Sequence, residues 1–289
     1  MVRKINNYIK EMRPAHWIKN LLVLLPPFFG GRIASFQILI FLLGGVISFS
    51  FIASGIYIIN DIHDKPQDAL HPIKRKRPIA SGIINIKEAI VISILLLCIG
   101  FAGCILTAKS QWPVVVIIVI IYILANFFYS LFCAKNIPVL DIILVSLGYV
   151  LRIIFGGAIS NTYISMWLFV TILSISLFMA IEKRRKEMEN DTKYRNVLTK
   201  YTSRYLSVSG TVMMSVAIIF FILWAMELGK KRDNVLFPYI ASVDGIIGLL
   251  LYRYDTEVSD TGDPVEIITH DKVLVVLGIV FLISFLIDV

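Results

Sequence analysis

The chain of 289 residues is 57% hydrophobic and only 17% charged, with a mean hydropathy of +0.81. A soluble domain is about 45–50% apolar and about 25% charged, so this composition leaves no room for a water-soluble enzyme and excludes a disordered chain. The net charge of +8 reads, on so apolar a chain, as positive-inside topology plus an anionic ligand, and no nucleic-acid partner is expected.

A bilayer-spanning helix needs roughly 20 mostly apolar residues. Nine such stretches are expected near 15–30, 36–60, 87–108, 112–132, 138–160, 164–182, 204–228, 236–253 and 272–287. The first is short and carries Pro26-Pro27, which favours a kinked, tilted or partly re-entrant segment. The N-terminus is polar, with no cleavable signal peptide. Of the 28 Lys and Arg residues, 22 fall on the side of the N-terminus, five on the other, and Arg152 lies inside a span. That asymmetry puts the N-terminus in the cytoplasm of a multi-pass cell-membrane protein, and nine spans send the C-terminus, Asp288-Val289, outside. The long polar segments 61–86, 183–203 and 254–271 then share the cytoplasmic side. No repeat or separate soluble domain is visible, so residues 1–289 read as one all-α membrane domain with catalytic loops near 61–86 and 183–203. Cys98, Cys104 and Cys133 show no paired spacing and read as small buried apolar residues.

At the end of the second span stand Asn60, Asp61, Asp64 and Asp68, in the pattern NDxxDxxxD. Residues at i, i+3 and i+7 share a helix face, although Pro66 is placed to break the helix and leave Asp68 in a loop. Three carboxylates on one stripe repel unless a cation sits among them. Hard oxygen ligands of this kind suit Mg²⁺, usually shared with substrate phosphates. The bland alternative is a solvated helix end. Next comes His71-Pro72-Ile73-Lys74-Arg75-Lys76-Arg77-Pro78, four consecutive cations suited to phosphate or, more plainly, to lipid headgroups.

These two motifs together, NDxxDxxxD and HPxKRxRPIASG, resemble the UbiA-like superfamily of intramembrane transferases. The resemblance extends to Arg13-Pro14-Ala15-His16-Trp17-Ile18-Lys19-Asn20, to Tyr129-Ser130 with Lys135 and Asp141, and to Gly148 through Arg152. Gly262-Asp263-Pro264-Val265-Glu266-Ile267 with Asp271-Lys272 resembles its decaprenyl-phosphate phosphoribosyltransferase branch. Members using prenyl diphosphates usually carry a second aspartate-rich motif between spans six and seven. This chain instead has Glu182-Lys183-Arg184-Arg185-Lys186-Glu187, whose Lys183, Arg184 and Glu187 resemble the phosphoribosyl branch. The bland alternative is an exposed helix with i,i+4 pairs, Glu182 to Lys186 and Lys183 to Glu187.

The resemblance implies a UbiA-like bundle with two substrates, phosphoribosyl diphosphate and a polyprenyl phosphate lipid. It implies Mg²⁺ held by Asp61, Asp64 and Asp68 with Asn60 assisting. Lys74, Arg75, Arg77, Lys183 and Arg184 are candidates for the sugar 5-phosphate or the lipid phosphate, and Lys19 and Lys135 for either. Tyr129, Asp141, Arg152 and Glu187 complete the candidate substrate-binding set. Asp141 and Arg152 lie 11 residues apart on one face of the fifth span, and a structural ion pair is the plain reading of Arg152. Glu227 and Asp244 read as helix-end or structural residues. His71 belongs to the motif, while His16, His63 and His270 read as surface or interfacial. Two other functions compete: a prenyl diphosphate-dependent prenyltransferase, which would share the aspartate site, and a transporter or channel, which the missing repeat symmetry disfavours.

Overall fold

The computed structural model describes residues 2–131, 134–190 and 196–286. Cys133, Asp191, Lys193, Arg195 and Asp288-Val289 lie outside the described residues. Every regular element among the described residues is helical. In lipid a helix satisfies its own backbone groups, which is why apolar stretches of this length take no other form. The chain divides into two compact units, Met1–Ile137 with Leu151–Tyr163, and Pro138–Val150 with Ile164–Val289.

The first unit contains α1 (Val2–Met12), a 3₁₀ stretch at Pro14–Leu24, α2 (Leu25–Phe29), α3 (Phe36–Leu70), α4 (Ile86–Ala108), α5 (Trp112–Leu131) and the second half of α6 (Leu140–Ser160). α3 and α4 pack antiparallel along a seam of small residues. Ser93 Oγ donates to the Gly55 carbonyl at 2.8 Å, and a Cβ at Gly100 would come within 2.7 Å of the Ser48 carbonyl oxygen. Close backbone approach supplies packing that the hydrophobic effect does not supply in lipid.

Six helical stretches among the described residues are long and apolar enough to cross a membrane, or seven if a pair bent by 85° at Asp271 is one span. One of the six, Ile86–Leu131, has 46 residues, more than twice what a bilayer needs. It doubles back at Lys109, whose φ is +48°. The direction of return is clear from α3: Lys109 lies over the Phe41 ring, Tyr122 packs on Phe49, and Lys135 reaches Asp64. α4 and α5 are thus two passes, as expected from 87–108 and 112–132. The expected total of nine is not confirmed, because 15–30 is no long apolar helix. Its polar members are held from outside: Trp17 Nε1 donates to Ser54 Oγ at 3.0 Å and Asn20 Nδ2 to Ser50 Oγ at 2.8 Å. Arg152 Nε donates to Asn20 Oδ1 at 2.6 Å. These bonds sustain an 11-residue 3₁₀ segment, unusually long for that geometry.

The same segment presses its backbone on α6. A Cβ at Gly156 would lie 1.9 Å from the Val23 carbonyl oxygen. Gly156→Ala is therefore expected to lower stability by about 1–3 kcal/mol, the usual overpacking range, read as a fall in the thermal unfolding midpoint in detergent. An unchanged midpoint would contradict this packing.

The second unit begins with the first half of α6 and continues through α7 (Met166–Asn190), a 3₁₀ turn at Asn196–Lys200, α8 (Ser203–Arg232), α9 (Leu236–Val258), α10 (Pro264–His270) and α11 (Lys272–Leu286). α7 packs along α8, where Gly210 makes room for the Glu182 carboxylate. Phe221, Trp224, Phe237, Phe281 and Phe285 form an aromatic core joining α8, α9 and α11. Cys104 is buried as expected, but Cys98 is exposed on α4. A thiol is apolar enough to face lipid, so burial was not required of it.

Candidate active site

In the first unit a dense group of charges forms at the C-terminal end of α3. The helix does not break at Pro66 but runs on to Leu70, although Pro66 has no N–H for the Ile62 carbonyl. Asp61 and Asp68 therefore share a face, and one Arg77 nitrogen, Nη1, donates to both, at 2.8 and 2.6 Å. Asp61 also receives Arg13 Nη2 on its two oxygens, at 2.5 and 2.7 Å. Asp64, less buried, pairs with Lys135. The side-chain oxygen of Asn60, Oδ1, is buried and accepts no hydrogen bond among the described residues.

Arg13 is aimed by its backbone. It precedes Pro14, which disfavours the right-handed helical region, and it adopts φ +52° between α1 and the 3₁₀ stretch. Its guanidinium lies 5.2 Å from the centre of the Tyr57 ring. Burial alone would lower its pKa, but the charge and hydrogen bond of Asp61 raise it above the ordinary value. One residue pair earlier, Glu11 Oε1 accepts the buried Ile79 N–H at 2.8 Å and ties the segment after the basic run to α1. Burial pushes the Glu11 carboxyl up to about 7 from 4.5, with the Ile79 N–H opposing and the Asp61 charge adding. A carboxyl raised on folding stabilises the fold fully below pH 4.5 and loses that contribution as pH rises through about 7. Glu11→Gln is expected to flatten the fall of the unfolding midpoint over that window.

Lys74, Arg75 and Lys76 form an exposed 3₁₀ turn. His71 Nδ1 shapes it by accepting the N–H groups of Ile73 and Lys74, at 3.2 and 3.3 Å. Arg77, the last of the four consecutive cations, is bound to Asp61 and Asp68.

No three His, Cys, Asp or Glu side chains among the described residues are gathered as a ready metal site. The chemistry of the donors nevertheless fits a hard divalent cation: three carboxylates and an unpartnered buried amide oxygen, all oxygen ligands.

The basic run of the second unit is arranged differently. Asp141 is fully buried at the start of α6. Its Oδ2 accepts Arg184 Nε at 2.6 Å, and its Oδ1 accepts the Tyr201 hydroxyl at 2.6 Å. The same hydroxyl accepts the Val139 N–H at 2.6 Å, holding a β-branched residue at φ +69°. Arg184 Nη1 also donates to Glu187 at 2.6 Å. Arg185 pairs with Glu182, Glu189 and Glu257, and Lys186 donates to the Glu257 carbonyl. Arg184, Arg185 and Lys186 are buried, whereas Lys183 is partly exposed and pairs with Asp263 at 3.3 Å. Asp263 in turn caps α10, accepting the Val265 N–H at 2.9 Å, and Gly262 lets this cap lie against the Lys183 backbone.

The UbiA prenyltransferase family model matches residues 28–263. The chain belongs to the UbiA family. It is 33% identical over 278 residues to a decaprenyl-phosphate phosphoribosyltransferase of Corynebacterium glutamicum, covering 94% of this chain and 83% of that one. A protein of the same name from Mycobacterium tuberculosis is 30% identical over 284 residues, covering 95% and 91%. The fold is similar to that of a UbiA homolog from Archaeoglobus fulgidus bound to GPP and Mg²⁺, with TM-score 0.71 at 19% identity over 98% of this chain and 99% of that one. The molecule is a UbiA-type membrane transferase.

In this UbiA protein Arg77 joins Asp61 and Asp68, and Asp64 pairs with Lys135. Lys19 is half-buried on the 3₁₀ stretch, and Tyr129 is half-buried on α5. Arg152 is elsewhere in the first unit, bonded to Asn20 and to the Tyr122 hydroxyl, while Asp141 serves Arg184 and Tyr201. The i,i+4 pairs proposed for the 182–187 run are replaced by i,i+3 pairs, Arg185 with Glu182 and Arg184 with Glu187. Arg13, Glu11 and Tyr201 were absent from the sequence-based set. Arg13 stood inside the quoted opening motif, directly before a proline. Nothing in the spacing marked Tyr201.

Proposed function

We propose that this UbiA protein transfers the 5-phosphoribosyl group from phosphoribosyl diphosphate to a polyprenyl phosphate, releasing diphosphate. The observation that carries the reading is the unit-one group: three aspartates and an unpartnered Asn60 oxygen, with Arg13, Arg77 and Lys135 beside them. Such a set accommodates a cation and a polyanion together. The relatives named decaprenyl-phosphate phosphoribosyltransferase support the phosphoribosyl donor, and the Archaeoglobus fulgidus homolog, with GPP and Mg²⁺ bound, supports a divalent metal.

Asp61, Asp64, Asp68 and Asn60 would hold Mg²⁺, which supplies charge neutralisation of the leaving diphosphate. Arg13, Arg77 and Lys135 offer donors to its oxygens. The C1–O bond of the donor breaks, a lipid phosphate oxygen forms the new bond to C1, and the electron pair leaves with the diphosphate. The nucleophile is already ionised near neutral pH, so positioning and electrostatic stabilisation carry the reaction and no strong general base is needed. In the second unit Lys183, the accessible cation of its run, is assigned to a substrate phosphate. Charge asymmetry supports a cell-membrane location with the N-terminus and the aspartates cytoplasmic.

The test is a paired-donor assay. Purified protein in detergent receives polyprenyl phosphate, Mg²⁺ and either labelled phosphoribosyl diphosphate or a labelled prenyl diphosphate. Label enters lipid from the sugar donor if the proposal holds. Incorporation only from the prenyl donor would establish the competing prenyltransferase reading.

A further inference from the structure

We propose that Arg13 and Arg77 compete with a divalent cation for the carboxylates of Asp61 and Asp68, so that cation and diphosphate bind as a pair and neither binds well alone. The proposal rests on the reading of these aspartates as cation ligands, and adds what the guanidinium groups do to that binding.

Asp61 has both oxygens engaged. Oδ1 receives Arg13 at 2.5 Å and Arg77 at 2.8 Å, and Oδ2 receives Arg13 at 2.7 Å. Asp68 Oδ2 receives Arg77 at 2.6 Å. A small hard cation takes carboxylate oxygen at roughly 2.1 Å, and at Asp61 Oδ1 both lone-pair directions are already taken by these two guanidinium groups. It would also place two more positive charges beside the guanidinium groups. Cation and guanidinium therefore exclude each other at Asp61 unless an anion enters with the cation.

A guanidinium released from a carboxylate in a largely buried place needs another acceptor. Phosphate oxygens match its planar fork. The Arg13 and Arg77 side chains keep 22% and 30% of their exposure, so each remains accessible to a ligand. Asn60 Oδ1 is an oxygen that a cation takes without displacing a donor. Diphosphate with its metal thus satisfies both halves of the exchange: the metal takes the carboxylates, and the phosphates take the arginines.

The experiment measures Mn²⁺ binding by the loss of its free electron paramagnetic resonance signal, using the full chain in nanodiscs without substrate. Arg77→Gln is expected to bind Mn²⁺ roughly tenfold more tightly than the unaltered protein, and to bind Mn²⁺-pyrophosphate more weakly. Arg13→Gln is the second variant and is expected to shift both affinities in the same directions. Adding Asp61→Asn to Arg77→Gln should cancel the Mn²⁺ gain, which assigns it to this carboxylate. Mn²⁺ binding that is equal or weaker in both arginine variants would overturn the competition while leaving the cation site standing. Absence of saturable Mn²⁺ binding in every variant would overturn the cation site as well.

Discussion

Asp64→Asn is expected to lower transfer by roughly a hundred- to a thousandfold, the scale seen when one electrostatic contact to a reacting group is removed, while the unfolding midpoint stays nearly constant. Asp64 is the aspartate best suited to this test. Its side chain is 31% exposed and pairs with Lys135, and such a pair contributes at most about 1 kcal/mol. Asn keeps the shape and one oxygen but removes the charge that a cation needs. The companion change, Asp61→Asn, is expected to cost activity and stability together, because it strips Arg13 of the carboxylate that both its bonds reach. Full activity in Asp64→Asn would refute the assignment of this residue to the cation.

Asp141→Ala is expected to produce the largest loss of stability, about 3–5 kcal/mol, the range for removing one partner of a buried ion pair. Arg184 is 2% exposed and would keep its charge with its Asp141 acceptor gone, and the Tyr201 hydroxyl would lose its acceptor too. Thermal unfolding in detergent reads the effect. The paired change Asp141→Leu with Arg184→Met should regain much of the midpoint, since a buried pair replaced by apolar side chains is often neutral or better. A midpoint unchanged by Asp141→Ala would show that the carboxylate is dispensable to the fold, and would return it to the list of substrate contacts.

The parts of this molecule that were legible in the sequence are those set by local periodicity. Long apolar runs gave α3 to α9 because lipid forces them into helices, and the seven-residue spacing of Asp61 and Asp68 put them on one face. What escaped was set by partners far along the chain. The 3₁₀ stretch at Pro14–Leu24 has the composition of an ordinary helix, and its geometry is sustained by bonds to Ser50, Ser54 and Arg152. Arg13 is linked to a carboxylate 48 residues away. The run 183–186 read as a cationic receiving surface because its acids, Asp141, Glu257 and Asp263, are distant in sequence. With those acids in place the run becomes mostly an internal network, and Lys183 keeps partial exposure. α10 had a usable local signal, Asp263 as N-cap followed by Pro264 at the first helical position, but its 7 residues are too few to cross a bilayer and so give no span signature.

The central claim is the identity of the transferred group, and the mass of the lipid product tests it most directly. Protein, Mg²⁺, polyprenyl phosphate and phosphoribosyl diphosphate are incubated together, and the lipid fraction is analysed by mass spectrometry. The account predicts a polyprenyl phosphate heavier by one phosphoribosyl group, formed with stoichiometric release of diphosphate and at a rate roughly a hundred- to a thousandfold lower when Asp64→Asn replaces the unaltered protein. An unchanged lipid mass with this donor, together with a prenylated acceptor when a prenyl diphosphate is supplied instead, would contradict it.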